Sequence, residues 1–339
     1  LGVTNFNADH LHVLCREGYD IATNQVSFSL LDRRAAGDMA AVCIENNVKL
    51  LAYGTLCGGF LSSTWAGRME PSDIVDWSKM KYWNFIEVAG GWRGFVRLVD
   101  TIYGIGARHG VSASNVATRW VLDHPHVGCA IVGARLTERH HRDDTEKLFD
   151  FELTDGDRAE IDEAALKLKP IPGDCGDEYR RPPYLTASGD LSHHLDSLPS
   201  IYAPEQYGPD RWRVSSGSVW ESVCGFSRAV RVGNRVLVSG TTATHGPERD
   251  ICKGDVRGQM VYCLDKIAAA IVAFGGSLDD VVRTRIYMAD ASCWEEASRV
   301  HGRYFKDVLP ANTLIEISHM VGGYDIEVEA EAILSSTES

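Results

Sequence analysis

Seven of the 11 prolines (Pro170, Pro172, Pro182, Pro183, Pro199, Pro204 and Pro209) fall between residues 169 and 217. Proline fixes its own φ, lacks a backbone donor, and biases the residue before it away from the helix. So dense a run reads as an extended tail and linker, 169–217, rather than a packed element. It divides the chain into two parts, 1–168 and 218–334, whose patterns differ.

In the first part, short apolar strands alternate with amphipathic helices. Strand candidates are Leu1–Val3, Ile21–Gln25, Lys49–Tyr53 and Cys129–Val132. Helical stretches such as Ala36–Asn46 and Ala113–Leu122 lie between them, the second opened by Ser112 as N-cap. Such alternation implies parallel pairing with right-handed crossovers. Leu1-Gly2-Val3-Thr4-Asn5-Phe6 reads as a buried strand entering a turn, with no Met before it. Four such units are half of a (β/α)₈ barrel and cannot close one alone, so the pattern predicts a partial barrel. The second part has another texture. Phe226–Val232 and Arg235–Ser239 alternate around the turn Gly233-Asn234. A helix, Val256–Phe274, places Met260, Leu264, Ile267, Ala268 and Ile271 at helical spacing and stops at Gly275-Gly276. Strand Val282–Met288, helix Trp294–Val308, and strands Thr313–Ser318 and Tyr324–Ile333 complete a β-β-α-β-α-β-β domain. The fold class is therefore α/β plus α+β.

At 339 residues, 44% apolar and 24% charged, the chain has material for two ordinary cores. A net charge of -13 argues against nucleic-acid or anionic-membrane partners. Nine cysteines without a C-x-x-C pair, several in apolar runs, suit reduced thiols in a cytoplasmic protein. No run of about 18 apolar residues predicts a membrane span, and no signal peptide is present. His140-His141 and His193-His194 lack a carboxylate or Cys at ligand spacing, so no metal is expected.

Thr4, Asn5, Gln25 and Tyr53 end strands, where a barrel gathers its functional groups. Three of them both donate and accept hydrogen bonds, which suits a carboxamide, and the Tyr53 ring suits stacking. Loop capping by Asn5 and Gln25 and core packing by Tyr53 are the alternatives. Gly133, Ala134, Arg135 and Arg139 bring small residues, a helix start and guanidinium groups to one loop, a phosphate-binding combination. With Leu51-Ala52-Tyr53-Gly54-Thr55-Leu56 and Asp144-Thr145, these motifs run in order over residues 1–195. There the chain resembles the C-terminal half of aldo-keto reductases. The resemblance implies NADP as cofactor, held by Thr4, Asn5, Gln25, Tyr53, Gly54, Leu56, Gly133, Ala134, Arg135, Arg139 and Asp144. The family's Glu-Asn pair facing adenine is Asp144-Thr145 here, and its Tyr, Lys, Asp and His proton machinery has no counterpart in this chain. The long insertion Ser62–Gly94 carries Trp65, Trp77, Trp83 and Trp92, for a substrate mouth or for aromatic packing.

In the second part the stretches Val238-Ser239-Gly240-Thr241, Gly275-Gly276-Ser277-Leu278-Asp279-Asp280, Leu309-Pro310-Ala311 and Ile326-Glu327-Val328-Glu329-Ala330 carry another likeness. Residues 218–334 resemble the RidA (YjgF) reactive-intermediate deaminases, which have a chorismate-mutase-like fold. That implies a homotrimer with ligand clefts between subunits, and enamine or imine hydrolysis. Ser239 and Glu327 are retained, and Asn312 stands where the deaminases carry the Arg that holds a substrate carboxylate. Phe226 replaces the family's Tyr and Ser298 its Asn. Asn lacks the charged fork of Arg, so turnover of 2-imino acids is expected to be weak or absent. Ser239 has the alternative of bonding backbone, and Arg285 could stand in for the missing Arg, with a structural or surface charge as its alternative. The combined expectation is an NADP-dependent carbonyl oxidoreductase fused to a RidA-like domain. The alternatives are a ligand-binding or trimerising module without catalysis, and a deaminase of an atypical imine.

Overall fold

The computed structural model describes residues 1–133, 139–180 and 201–335. The chain divides into two units, Leu1–Leu11 with Tyr19–Asp196, and His12–Gly18 with Ser197–Ser339.

In the first unit, β1 (Gly2–Thr4), β2 (Thr23–Ser27), β3 (Lys49–Tyr53) and β4 (Val127–Ala130) pair in parallel, in chain order. Thr4 lies beside Gln25 and Gln25 beside Leu51, while Ser27 lies beside Tyr53, so β2 and β3 end level and two residues beyond β1. The helices are α1 (Ala8–Arg16), α2 (Asp38–Glu45), α3 (Trp77–Val88), α4 (Trp92–His109), α5 (Ala113–Leu122), α6 (Arg139–Glu146), α7 (Asp155–Ala165) and α8 (Asp177–Arg180). Ser112 caps α5 as its position predicts, its hydroxyl accepting from the Asn115 N–H at 3.1 Å. Thr154 and Asp157 close a capping box on α7. Two strands are offset by two residues from the sequence reading. Ile21 is buried ahead of β2, while Ile131 and Val132 stand exposed after β4. Hydrophobicity marked core contact at one end and none at the other; the ladder is set by backbone pairing.

In the second unit a sheet of seven strands runs β12-β11-β13-β8-β7-β6-β5. Its members are β5 (Glu205–Gly208), β6 (Arg211–Val214), β7 (Ala229–Val232), β8 (Arg235–Thr241), β11 (Val281–Met288), β12 (Ala311–Glu316) and β13 (Ile326–Ile333). A small ribbon pairs β9 (Thr244–His245) with β10 (Arg249–Asp250). Helices α9 (Val219–Cys224), α10 (Val256–Val272) and α11 (Trp294–Phe305) complete it. The turn at Gly233 (φ 61°) makes the β7–β8 hairpin, with Val232 opposite Arg235. Met260, Leu264, Ile267 and Ile271 of α10 are fully buried, with Val238, Ile286 and Val328 of the sheet in the same core. Alternation along β13 buries Ile326, Val328, Ala330 and Ala332 and leaves Glu327, Glu329 and Glu331 on the other face.

The proline-rich stretch departs from its reading as linker. Ile171, Cys175 and Glu178 are buried in the first unit, and residues 205–214 form the β5–β6 hairpin that extends the sheet through β7. Prolines flank these pieces without interrupting their ladders, because Pro204 and Pro209 lie just outside the strands.

His126 precedes β4 and is 2% exposed, its ring stacked 6.0 Å from Phe28 and its Nε2 3.1 Å from the Ala35 carbonyl oxygen. Burial first, and neighbouring His124 second, push it down from 6.5 to about 4. The folded ring binds its proton less readily than the unfolded one, so stability falls as pH drops from 6.5 through about 4. His124 shifts the same way. His126→Gln should flatten that acid-side loss in urea unfolding measured from pH 7 to pH 4; an unchanged slope would assign it to other groups.

Candidate functional site

At the strand ends of the first unit, Asn5 follows β1 with φ 57°, a left-handed conformation that Asn tolerates better than most residues. Its N–H donates to the Gln25 carbonyl at 2.9 Å. Tyr53, the last residue of β3, donates its hydroxyl to Asn5 Oδ1 at 2.8 Å and lies 3.4 Å from the Tyr179 hydroxyl. Lys81 of α3 donates to the Tyr179 hydroxyl. Its Nζ stands 4.6 Å from the Tyr179 ring centre, 5.3 Å from that of Tyr53 and 5.7 Å from that of Tyr82. Burial, then the phenol of Tyr179, push the Tyr53 hydroxyl far above its ordinary value, so it stays protonated. Gly54 (φ 68°) accommodates Tyr82: a Cβ there would sit 1.9 Å from the Tyr82 hydroxyl oxygen. Behind this group Arg34 bonds both oxygens of Asp32 at 2.8 Å and Glu178 at 3.0 Å. Burial opposes the charge on Arg34, but those carboxylates hold it above its ordinary value.

A second group surrounds an open cleft lined by Leu56, Ser114, Asn115, Thr118, Val132, Gly133, Asp144, Thr145 and Leu148. Asp144 accepts from the Ser112 hydroxyl at 2.6 Å, and its backbone carbonyl accepts from Asn115 Nδ2 at 2.8 Å. Leu56, Gly133 and Asp144, proposed from sequence, thus meet at one cleft, although 77 residues separate the first two. Asn5 and Tyr53 meet at the strand ends, with Thr4 and Gln25 paired beside them and Gly54 next in chain. Ala134 and Arg135 lie outside the described residues, as do His193 and His194; Arg139 opens α6.

Sequence reasoning missed Lys81, Tyr179, Asn115 and Thr118. The structure buries the last two, at i and i+3 along α5, leaving them 3% and 4% exposed. Trp65, Trp83 and Trp92 gather around Phe60 with ring centres 5.2–6.2 Å away, so those three indoles build an aromatic cluster.

In the second unit Glu327 lies opposite Tyr287 in the sheet. Its carboxylate rests on Gly240, where a Cβ would be 1.9 Å from Oε1. Burial raises its pKa above the ordinary value, Glu329 adds to this, and Arg228 opposes it. Ser239 donates to the Ser227 carbonyl at 2.8 Å, the backbone-bonding alternative. Arg285 pairs with Glu329 at 3.0 Å. Asn312 lies beside Thr284, donating through Nδ2 to its hydroxyl at 3.0 Å, with His301 Nε2 3.3 Å away. The buried Arg228 guanidinium donates to the Gly240 carbonyl at 2.7 Å and to the Thr241 hydroxyl at 2.9 Å. Burial, then Arg228, push Lys266 down to about 8, and it donates to the Thr244 carbonyl at 2.7 Å.

Comparison with known proteins gives two matches. Residues 1–166 match the model of the aldo/keto reductase family, and residues 218–334 match that of Endoribonuclease L-PSP. An uncharacterized protein of Streptomyces coelicolor is 35% identical over 128 residues, 38% of this chain and 95% of that protein. A RutC family protein of Pyrococcus abyssi is 32% identical over 107 residues, 32% of this chain and 84% of that protein. A crystal structure of a YjgF/YER057c/UK114 family member from Mycobacterium tuberculosis is 39% identical, with a TM-score of 0.34, covering 37% of this chain and 99% of that one. No helix among the described residues is long and apolar enough to cross a membrane.

Gly240→Ala tests the seat of Glu327. The clash falls on the free end of a flexible side chain, so the fold should survive, at a cost within the range of about 1–3 kcal/mol for overpacking. Carboxyl-detected NMR titration should show Glu327 returning downward toward the ordinary carboxylate range; an unmoved titration would place its burial elsewhere.

Proposed function

We propose that this chain, which carries an aldo/keto reductase family domain over residues 1–166 and belongs to the RidA/YjgF family over residues 218–334, joins an NADP-holding unit to a ligand-binding RidA-like unit. In this reading the four parallel strands correspond to the second half of an eight-stranded barrel. The observation that carries the cofactor reading is the cleft where Leu56, Gly133 and Asp144 converge. In this reading it takes the adenosine end. Small residues and the start of α6, with Arg135 and Arg139, take the phosphates. Asn5, Gln25 and Tyr53 take the nicotinamide end. When bound, the cofactor supplies a hydride for carbonyl reduction; these residues bind and orient it, and proton transfer is assigned to none of them.

For the second unit, a non-catalytic ligand-binding and trimerising role is favoured by one observation. The groups that would act on a carboxylate-bearing imine are already engaged: Asn312 with Thr284, Arg285 with Glu329, Ser239 with backbone. A deaminase acting on an uncharged imine is the second reading, with the raised carboxyl of Glu327 as its acid.

NADPH fluorescence titration tests the first unit. Among the described residues a Cβ at Gly133 meets no atom within 4 Å, so Gly133→Val should fold normally yet narrow the cleft and weaken NADPH by about tenfold, the effect of about 1.4 kcal/mol. Equal affinity for variant and parent, or no binding to either, would remove the reading. For the second unit, freshly generated 2-iminopropionate should be hydrolysed no faster than in buffer, and Asn312→Arg should not lower that rate. Turnover well above buffer by the parent chain would overturn the non-catalytic role.

A further inference from the structure

We propose that Lys81 makes the cofactor site select the reduced, uncharged nicotinamide ring over the oxidised, cationic one. The inference rests on the cofactor reading above, and it concerns the charge that the chain itself brings to the strand ends.

Lys81 is 7% exposed, a low value for a lysine. Its ammonium is held by the Tyr179 hydroxyl and by the faces of Tyr53, Tyr82 and Tyr179, whose ring quadrupoles attract a cation. Among the described residues no carboxylate pairs with it, because Asp32 and Glu178 are turned onto Arg34. Tyr53, 5.3 Å from the ammonium at its ring centre, is also the residue bonded to Asn5. A nicotinamide ring held by Tyr53 and Asn5 therefore has Lys81 as a neighbour. The oxidised ring carries one positive charge, and gaining a hydride removes it. Two positive charges brought together at an effective dielectric near 20 repel strongly enough to change a dissociation constant by about tenfold or more. The neutral reduced ring feels no such repulsion, and the adenosine and phosphate ends are the same in both forms.

The test measures Kd for NADPH, NADP+ and adenosine 2′,5′-bisphosphate on the full chain, for the parent, Lys81→Met and Lys81→Arg. The parent should bind NADPH about tenfold or more tighter than NADP+. Lys81→Met should bring the two within about threefold while leaving the bisphosphate, which has no nicotinamide, unchanged. Lys81→Arg keeps the charge and should keep the preference, which separates charge from any loss of folding. A NADP+ to NADPH ratio identical in the parent and Lys81→Met overturns the proposal alone. Failure of all three ligands to bind any of the proteins overturns the cofactor reading and this proposal with it.

Discussion

Arg34 is the charge on which the upper end of the first unit depends. Its side chain is 5% exposed, and those of Asp32 and Glu178 are fully buried. Each ion has lost its water, so each is tolerable only with the other two in place. Removing one partner from such a buried set costs about 3–5 kcal/mol, because a charge is left without compensation. Arg34 also donates to the Asp174 carbonyl at 2.7 Å, so the guanidinium holds both the turn before α8 and the helix itself. Tyr179 follows Glu178 directly. Its contacts with Lys81 and Tyr53 are thus set by an ion pair that points the other way.

Much of the first unit was legible because its strands are parallel and separated by helices, a pattern in which local periodicity and global topology agree. The candidate residues Asn5 and Tyr53 were found by counting to the end of an apolar run, and they do stand at the ends of β1 and β3, whereas Gln25 lies mid-way along β2. Lys81 and Tyr179 were not. Lys81 sits in an insertion whose tryptophans dominate its composition, and Tyr179 sits in a stretch where proline density suggested no packing. Their proximity spans 98 residues and comes from burial of charge, which leaves no periodic trace.

In the second unit, sequence indicated the order of elements and the candidate groups but not their availability. Ser239 and Asn312 are polar residues at the expected places, yet their hydrogens go to Ser227 and Thr284. A hydroxyl or amide in a sequence carries no mark of which neighbour it will bond. Glu327 differs because its neighbour is Gly240, and the missing side chain there is the reason the carboxylate can approach the backbone so closely. The pairing of a glycine on β8 with an acid on β13 is a constraint that acts across the sheet.

The β5–β6 hairpin sets where the second unit can be divided from the rest. β6 covers the edge of β7 along Ala229–Val232, register by register, and Val214 at its end is 1% exposed. A chain cut at residue 218, where the family match begins, would leave the backbone donors and acceptors of β7 facing water as a bare strand edge. Such an edge accepts another strand as readily as its own. The boundary read from family likeness and the boundary of a self-contained sheet are therefore different positions, and the second lies ahead of Glu205.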